Sequence, residues 1–493
     1  MELNLLSNLA LGFTTVLSVE NLFYCLLGVT LGTTIGVLPG IGPLAAISLL
    51  LPLTYQFNDP TTSLIMLAGI YYGCQYGGST TAILINMPGE PSSVITTTDG
   101  YQLSRQGKAG KGLAVAAISS FIGGTFATLL IATFALPLTK MAFLFGPAEY
   151  FNLMVLGLVI AVAVANKSVL KAMLMVLSGI LLGLVGTDVT TGMARYTFGI
   201  PELYDGISFA IVAIGMFGIA EVIYNMNNLT TRDSNFKKDI DLSINKNDFS
   251  RFIPSALRGT AIGSLLGVLP GSGGIISSFA AYAFEKKISK NRDEFGKGAI
   301  EGVAAPEAAN NAGAQTSFIP MLTLGIPTTP IMALMIAAMM IHNVVPGPQV
   351  TTTNPGLFWG LIVSMWIGNV MLLILNLPLI GIWIRLLRVR YQILYPVILF
   401  FSCLGAYTLT NNAWSIFLLI PFSILGYYLK KWDCEPAPLL MGFVVGPMLE
   451  ENLRRALIIS NGDWVGLFTH PISMLLIAIS LIVIFLMFVI RKY

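Results

Sequence analysis

The strongest constraint on this chain is how far it runs without a charge. Phe151–Val164, Ile393–Leu404 and Ile472–Ile490 contain no Asp, Glu, Lys, Arg or His. Alone or with their neighbours, such runs are long enough to cross a hydrocarbon core about 30 Å thick. They are continuous rather than alternating, which selects helices over a β-barrel, whose strands alternate lipid-facing and lumen-facing side chains. Charged residues make up 10% of the 493 residues and hydrophobic ones 55%, with a mean hydropathy of +0.78. A soluble domain carries about a quarter charged residues. The sequence therefore specifies an all-α polytopic membrane protein.

The net charge of +3 is too small to imply a nucleic-acid partner. The basic residues sit in short loops, as they do on a cytoplasmic membrane face. No Lys or Arg precedes Arg105, so the N-terminus lacks the basic region of a cleaved signal peptide. Cys25, Cys74, Cys403 and Cys434 have neither metal-ligand nor paired spacing and read as small apolar packing residues. Signatures of a zinc hydrolase, a serine hydrolase, a P-loop or a Cys–His site are missing. The two histidines, His342 and His470, both flank loops, where interfacial solvation accounts for them. These features point away from an enzyme and from an ATP-driven pump.

Within the apolar background a motif occurs twice. Gly36-Val37-Leu38-Pro39-Gly40 returns as Gly267-Val268-Leu269-Pro270-Gly271, each copy after an apolar helix and before small residues. Downstream, Asn86-Met87-Pro88-Gly89-Glu90-Pro91 matches Gly325-Ile326-Pro327-Thr328-Thr329-Pro330, with two prolines three apart in both. Two matches in the same order indicate duplication. The polar stretch Asn227–Asp248 separates the copies, giving a first membrane repeat at 1–226, a cytoplasmic linker at 227–251 and a second repeat at 252–493.

Loop charge gives the relative orientation. Tyr55–Thr62 has no basic residue, whereas the matching Glu285–Lys297 has five. One segment later Asp99–Lys111 carries Arg105, Lys108 and Lys111, and His342–Gly356 carries no charged side chain. Leu138–Tyr150 then has only Lys140, against Arg385, Arg388 and Arg390 in Gly381–Gln392. The bias alternates in opposite phase, so the two structural repeats are expected to be inverted. The pairs Asn21–Leu38 with Ile41–Leu53, and Phe252–Leu269 with Ile275–Phe284, then form helical hairpins. Thr62–Thr98 and Ala299–Ile341 become discontinuous transmembrane helices, as in many secondary transporters.

Proline and glycine inside such helices free backbone groups, tolerated in lipid only where protein or a water-filled cavity satisfies them. Carbonyls around Gly36, Leu38, Gly40, Gly267, Leu269 and Gly271 are thus candidate Na⁺ ligands. The N–H groups of half-helices starting near Pro91 and Pro330 are candidate receptors for a carboxylate. The competing reading is a kink that lets helices pack closely. Neutral hydrogen-bonding groups surround the breaks: Asn86, Pro88, Gly89, Ser92 and Ser93 in the first half. Asn310, Asn311, Thr323, Gly325, Pro327, Thr328 and Thr329 are their counterparts in the second. They are the candidate substrate-binding residues; ordinary interhelical hydrogen bonding is their bland alternative. Intramembrane carboxylates default to function, which makes Glu90 and Glu307 candidates for coordinating a coupling cation. Asp99, at a cytoplasmic boundary, is expected to cap a short helix.

These motifs carry a family resemblance. Gly36-Val-Leu-Pro-Gly-Ile-Gly-Pro, Tyr76-Gly-Gly-Ser-Thr-Thr-Ala-Ile-Leu-Ile-Asn-Met-Pro-Gly-Glu-Pro, Asp99-Gly-Tyr, Pro306-Glu-Ala-Ala-Asn-Asn-Ala, Leu324-Gly-Ile-Pro and Pro346-Gly-Pro resemble the large TctA-like subunit of tripartite tricarboxylate transporters. The resemblance covers nearly the whole chain. It implies a multi-pass protein of the bacterial inner membrane, working with a small TctB-like membrane subunit and a periplasmic TctC-like binding protein. It further implies symport of citrate or another carboxylate, driven by sodium or protons and without a cofactor. Thr328 stands where the family pattern has a glycine, a departure that bears on substrate preference or on the tightness of the turn. A membrane-embedded enzyme using Asp99 or Glu307, and a permease needing no partner, are the competing readings.

Overall fold

The structure, a computed structural model, describes residues 5–38, 42–57, 59–164, 168–188, 190–227, 241–269, 273–386 and 391–490. Gly40 and Gly271, both prolines of the Gly-Val-Leu-Pro-Gly motifs and most of the expected linker lie outside these residues.

Helices follow one another along the chain. Before residue 228 they are α1 (Leu5–Val16), α2 (Val19–Gly36), α3 (Pro43–Thr54), α4 (Pro60–Ile85), α5 (Val94–Arg105) and α6 (Ala109–Ala142). Next come α7 (Pro147–Val164), α8 (Val169–Gly183), α9 (Phe209–Ala213) and α10 (Ala220–Asn227). A π-helical segment, Ile214–Ile219, joins α9 to α10, and a 3₁₀ turn, Pro91–Ser93, leads into α5. Beyond residue 245 are α11 (Lys246–Gly267), α12 (Gly273–Ile288), α13 (Glu301–Thr316), α14 (Phe318–Leu324), α15 (Pro330–Ile341) and α16 (Val350–Thr353). The chain continues as α17 (Pro355–Asn376), α18 (Ile380–Leu386), α19 (Tyr391–Thr410), α20 (Trp414–Lys431), α21 (Ala437–Ile459) and α22 (Pro471–Ile490). Among the described residues, strand pairing is confined to Gly186–Thr187 with Ala194–Arg195. Arg195 reaches Glu450 at 2.8 Å and Arg454 reaches Asp188 at 2.8 Å, so two ion pairs hold this hairpin to α21.

Three of these helices, Val19–Gly36, Ala109–Ala142 and Pro355–Asn376, are both long and apolar enough to cross a membrane. Several shorter apolar helices accompany them, as an all-α membrane protein requires.

Packing at the centre uses the same device twice. Gly28, Gly32 and Gly36 of α2 lie against backbone of α4, whose Gly69, Gly73 and Gly77 return the contact. Gly259, Gly263 and Gly267 of α11 meet Ala305, Ala309 and Gly313 of α13 in the same way. Small residues every fourth position let two backbones touch, which is how helices associate in lipid, where the hydrophobic effect gives no drive. A Cβ on Gly263 would sit 2.3 Å from the Ala309 carbonyl, so Gly263→Ala must push α11 away from α13. It is expected to cost about 1–3 kcal/mol in thermal unfolding. Gly381→Ala, with nothing within 4 Å of the added carbon, should leave stability unchanged.

Elements before and after the linker interleave. α6 packs on α13 and α17 on α4; α11 lies on α6 and α2 on α17. α12 touches the Pro91–Ser93 turn, and α3 touches α15. Buried polar bonds fix the register: Tyr76 Oη donates to Asn369 Oδ1 at 2.7 Å, and Asn369 Nδ2 to the Phe121 carbonyl at 2.9 Å. Outside this core, α7, α8, α21 and α22 pack mainly on one another.

Candidate functional site

A cavity of about 620 Å³ lies where the core meets the surrounding helices. Four helical segments begin on its wall. α3 starts at Gly42-Pro43, the turn into α5 at Glu90-Pro91, α12 at Gly273-Gly274 and α15 at Thr329-Pro330. Proline occupies the first helical turn at three of them, a position where its fixed φ fits and its missing N–H costs nothing. Thr329 closes the start of α15 by accepting from the Met332 N–H at 3.2 Å. Each start presents the positive end of a helix dipole. Four together make a pocket whose backbone attracts negative charge. The rest of the wall is largely apolar and includes Phe217 from the π-helical segment and Met441 from α21, with Lys430 and Glu435 also present.

Of the sequence-derived substrate candidates, Pro88, Gly89, Ser92, Asn310, Thr328 and Thr329 line this cavity, and so does Glu90. The structure brings these together although they lie more than two hundred residues apart in the chain. The others stand elsewhere. Asn86 is an exposed left-handed cap on α4, with φ 55°. Ser93 is buried, its hydroxyl donating to the Glu90 carbonyl at 2.9 Å. Asn311 bonds the Glu307 carbonyl at 3.0 Å and Thr323 the Ile319 carbonyl at 2.7 Å, each one turn back on its own helix. Gly325 ends α14 with φ 71°, and Pro327 lies in the buried segment leading to α15.

The ion-coupling candidates divide similarly. Gly36 and Gly267 sit in the helix contacts described above; Leu38 is buried and Leu269 is 46% exposed. Glu90 is on the cavity wall, where its Oε1 accepts from Ser92 Oγ at 2.5 Å and Asn310 Nδ2 at 2.7 Å. Glu307 is off the wall. Its carboxylate accepts from Ser79 of α4 and Thr96 of α5 at 2.5 Å each, and from Ser120 of α6 at 3.4 Å. Three hydroxyls from three helices thus hold α13 in place.

Asp99 corrects an expectation. It caps no helix of its own but lies inside α5, fully buried. Its Oδ1 accepts from the N–H groups of Gly296, Gly298 and Ala299 at 2.8–2.9 Å, and Tyr282 Oη donates to Oδ2 at 2.9 Å. The carboxylate serves the approach to α13, far away in sequence, because those amides have no helical partner of their own.

Sequence reasoning did not single out Gln75 or Lys430, which also line the cavity. For Gln75 the available signal was a lone amide in an apolar helix. Lys430, in the last turn of α20, had no signal beyond its charge; its Nζ lies 4.3 Å from the Tyr224 ring centre.

The model of the tripartite tricarboxylate transporter TctA family matches residues 22–441. The chain belongs to that family. Among the relatives of this TctA-family chain is an uncharacterized 52.8 kDa protein of the TAR-I ttuC' 3' region of Agrobacterium vitis. It is 54% identical over 479 residues, covering 97% of this chain and 95% of its own length. A second, an uncharacterized protein of the TAR-II ttuC' 3' region of the same organism, is 56% identical over 224 residues. That match covers 45% of this chain and 93% of the relative. No solved structure matches. TctA membership together with the apolar helices makes this a multi-pass membrane protein and a component of a tricarboxylate transporter with partner subunits.

Proposed function

We propose that this TctA-family chain holds the carboxylate pathway of its transporter and imports a tricarboxylate or related carboxylate across the bacterial inner membrane. A periplasmic TctC-like binding protein delivers the cargo, a TctB-like subunit accompanies the chain, and a Na⁺ or H⁺ gradient drives symport. The observation that carries this reading is the convergence of four helix starts on one cavity. They group in two pairs, the Pro91 turn with α12 and α15 with α3, since these elements touch. Two positive pairs facing one cavity suit a cargo with more than one carboxylate.

Two inverted repeats, at 1–226 and 252–493, explain the pairing. In this scheme α2 matches α11, α3 matches α12, α4 matches α13 with α14, the Pro91 turn and α5 match α15, and α6 matches α17. Two contacts between the halves then have their partners: α6 on α13 with α17 on α4, and α12 on the Pro91 turn with α3 on α15. Basic segments of the two halves also meet in pairs, as Lys111 with Asp248 at 2.7 Å and Lys171 with the Trp432 carbonyl at 2.6 Å. Tyr55 and His342, in the loops without Lys or Arg, meet each other. This grouping supports a cytoplasmic face for the first set.

The test is uptake by proteoliposomes holding the chain and its small subunit, with binding protein and labelled citrate or dicarboxylate outside. An inward Na⁺ or H⁺ gradient should drive accumulation, and collapsing it should stop accumulation. Uptake indifferent to both gradients, or complete without the partner proteins, contradicts the proposal.

A further inference from the structure

The two ends of the cavity are not chemically equal. Under the repeat matching, Glu90 at the start of the Pro91 turn corresponds to Thr329 at the start of α15. One pair of helix starts therefore already holds a carboxylate belonging to the protein; the other presents a neutral hydroxyl. A cargo anion is drawn to the pair formed by α3 and α15. It then shares the cavity with Glu90, and two anions in one cavity repel.

The two unpartnered buried side-chain atoms on the cavity wall are both acceptors. Asn310 is 1% exposed and spends an amide hydrogen on Glu90, which fixes the amide's orientation and leaves Oδ1 as the free end. That oxygen has no hydrogen-bond partner among the described residues. It lies over Gly274 on the cavity wall, where an added Cβ would stand 2.2 Å from it. Gln75, also 1% exposed and on the same wall, has an unpartnered Oε1. Buried polar atoms are nearly always satisfied, and an array of acceptors is satisfied by a cation. The Glu90 carboxylate supplies its charge.

We propose that Glu90, Asn310 Oδ1 and Gln75 Oε1 form the binding site of a monovalent cation, sodium-sized, whose presence neutralises Glu90 and admits the cargo anion beside it. This rests on the functional reading above and redistributes its residues. Asn310 serves the cation rather than the carboxylate, and Glu307, its oxygens met by hydroxyls away from the wall, positions α13. Coupling follows from electrostatics: the cation raises cargo affinity and the cargo raises cation affinity by the same factor.

Equilibrium binding of ²²Na⁺ to the purified full-length chain in nanodiscs, with choline as the replacement cation, tests this. Glu90→Gln, Asn310→Ala and Gln75→Met should each weaken Na⁺ binding by at least about tenfold. Na⁺ should tighten binding of labelled carboxylate to the wild type and have no such effect on Glu90→Gln. Gly274→Ala, which displaces the amide oxygen without removing any ligand, should weaken Na⁺ binding as well. Monodisperse Gln75→Met and Glu90→Gln proteins that bind Na⁺ like the wild type overturn the proposal. So does a folded wild type that binds no Na⁺, including one driven by protons alone, and then carboxylate transport itself still stands. A wild type that binds Na⁺ but neither binds nor moves any carboxylate overturns the functional reading instead.

Discussion

Asp99→Ala is expected to lower the stability of the purified chain by about 2 kcal/mol or more, since a buried donor left unpaired costs about 1–3 kcal/mol and two of its donors, the Ala299 N–H and the Tyr282 hydroxyl, are buried. Three N–H groups, those of Gly296, Gly298 and Ala299, converge on one carboxylate oxygen, and Asp99 is fully buried. Alanine offers them nothing. Asp99→Asn keeps an acceptor at that point while losing the charge and should fall between the two. The effect reaches the site, because Asp99 ties α5 to the approach to α13. The start of the α5 segment carries Glu90, and α13 carries Asn310. Thermal or denaturant unfolding in detergent measures the stability. Wild-type stability in Asp99→Ala would show that the loop at 296–299 finds other partners.

Much of the candidate site's framework was legible where its cause is local. Pro91 and Pro330 marked helix starts because proline at the first turn is a rule of one residue and its neighbours. The four-residue glycine spacing at Gly28, Gly32 and Gly36, and at Gly259, Gly263 and Gly267, is likewise written in the sequence. It shows that the first glycine of each Gly-Val-Leu-Pro-Gly motif also ends a stripe of helix contact. What the chain folds across was not legible. Asp99 looked like a local cap because its true partners lie 183 to 200 residues away. Nothing in the segment of Asn310 shows that its N–H is given to Glu90, 220 residues earlier. Gln75 and Lys430 reach the cavity only through tertiary packing. The convergence of four helix starts depends on which ends of which helices meet, and hydrophobic period carries no such information.

The chemical inequality of the two proposed repeats offers the most direct trial of the whole account. If the pair formed by α3 and α15 receives the cargo carboxylate, a carboxylate built into that pair must exclude it. Thr329→Glu does this by placing there the residue type that Glu90 already supplies at the matching position. Thr329→Ser keeps the hydroxyl cap of α15 and serves as the control. Gradient-driven uptake by the reconstituted transporter is the measurement, made on protein shown to be monodisperse. The account predicts that Thr329→Glu lowers uptake at least about a hundredfold, a barrier of about 2.7 kcal/mol that like charges in one cavity readily impose. Thr329→Ser should stay near the wild type. Wild-type uptake by the Thr329→Glu transporter would contradict the account, because the cargo would then be bound somewhere other than between these helix starts.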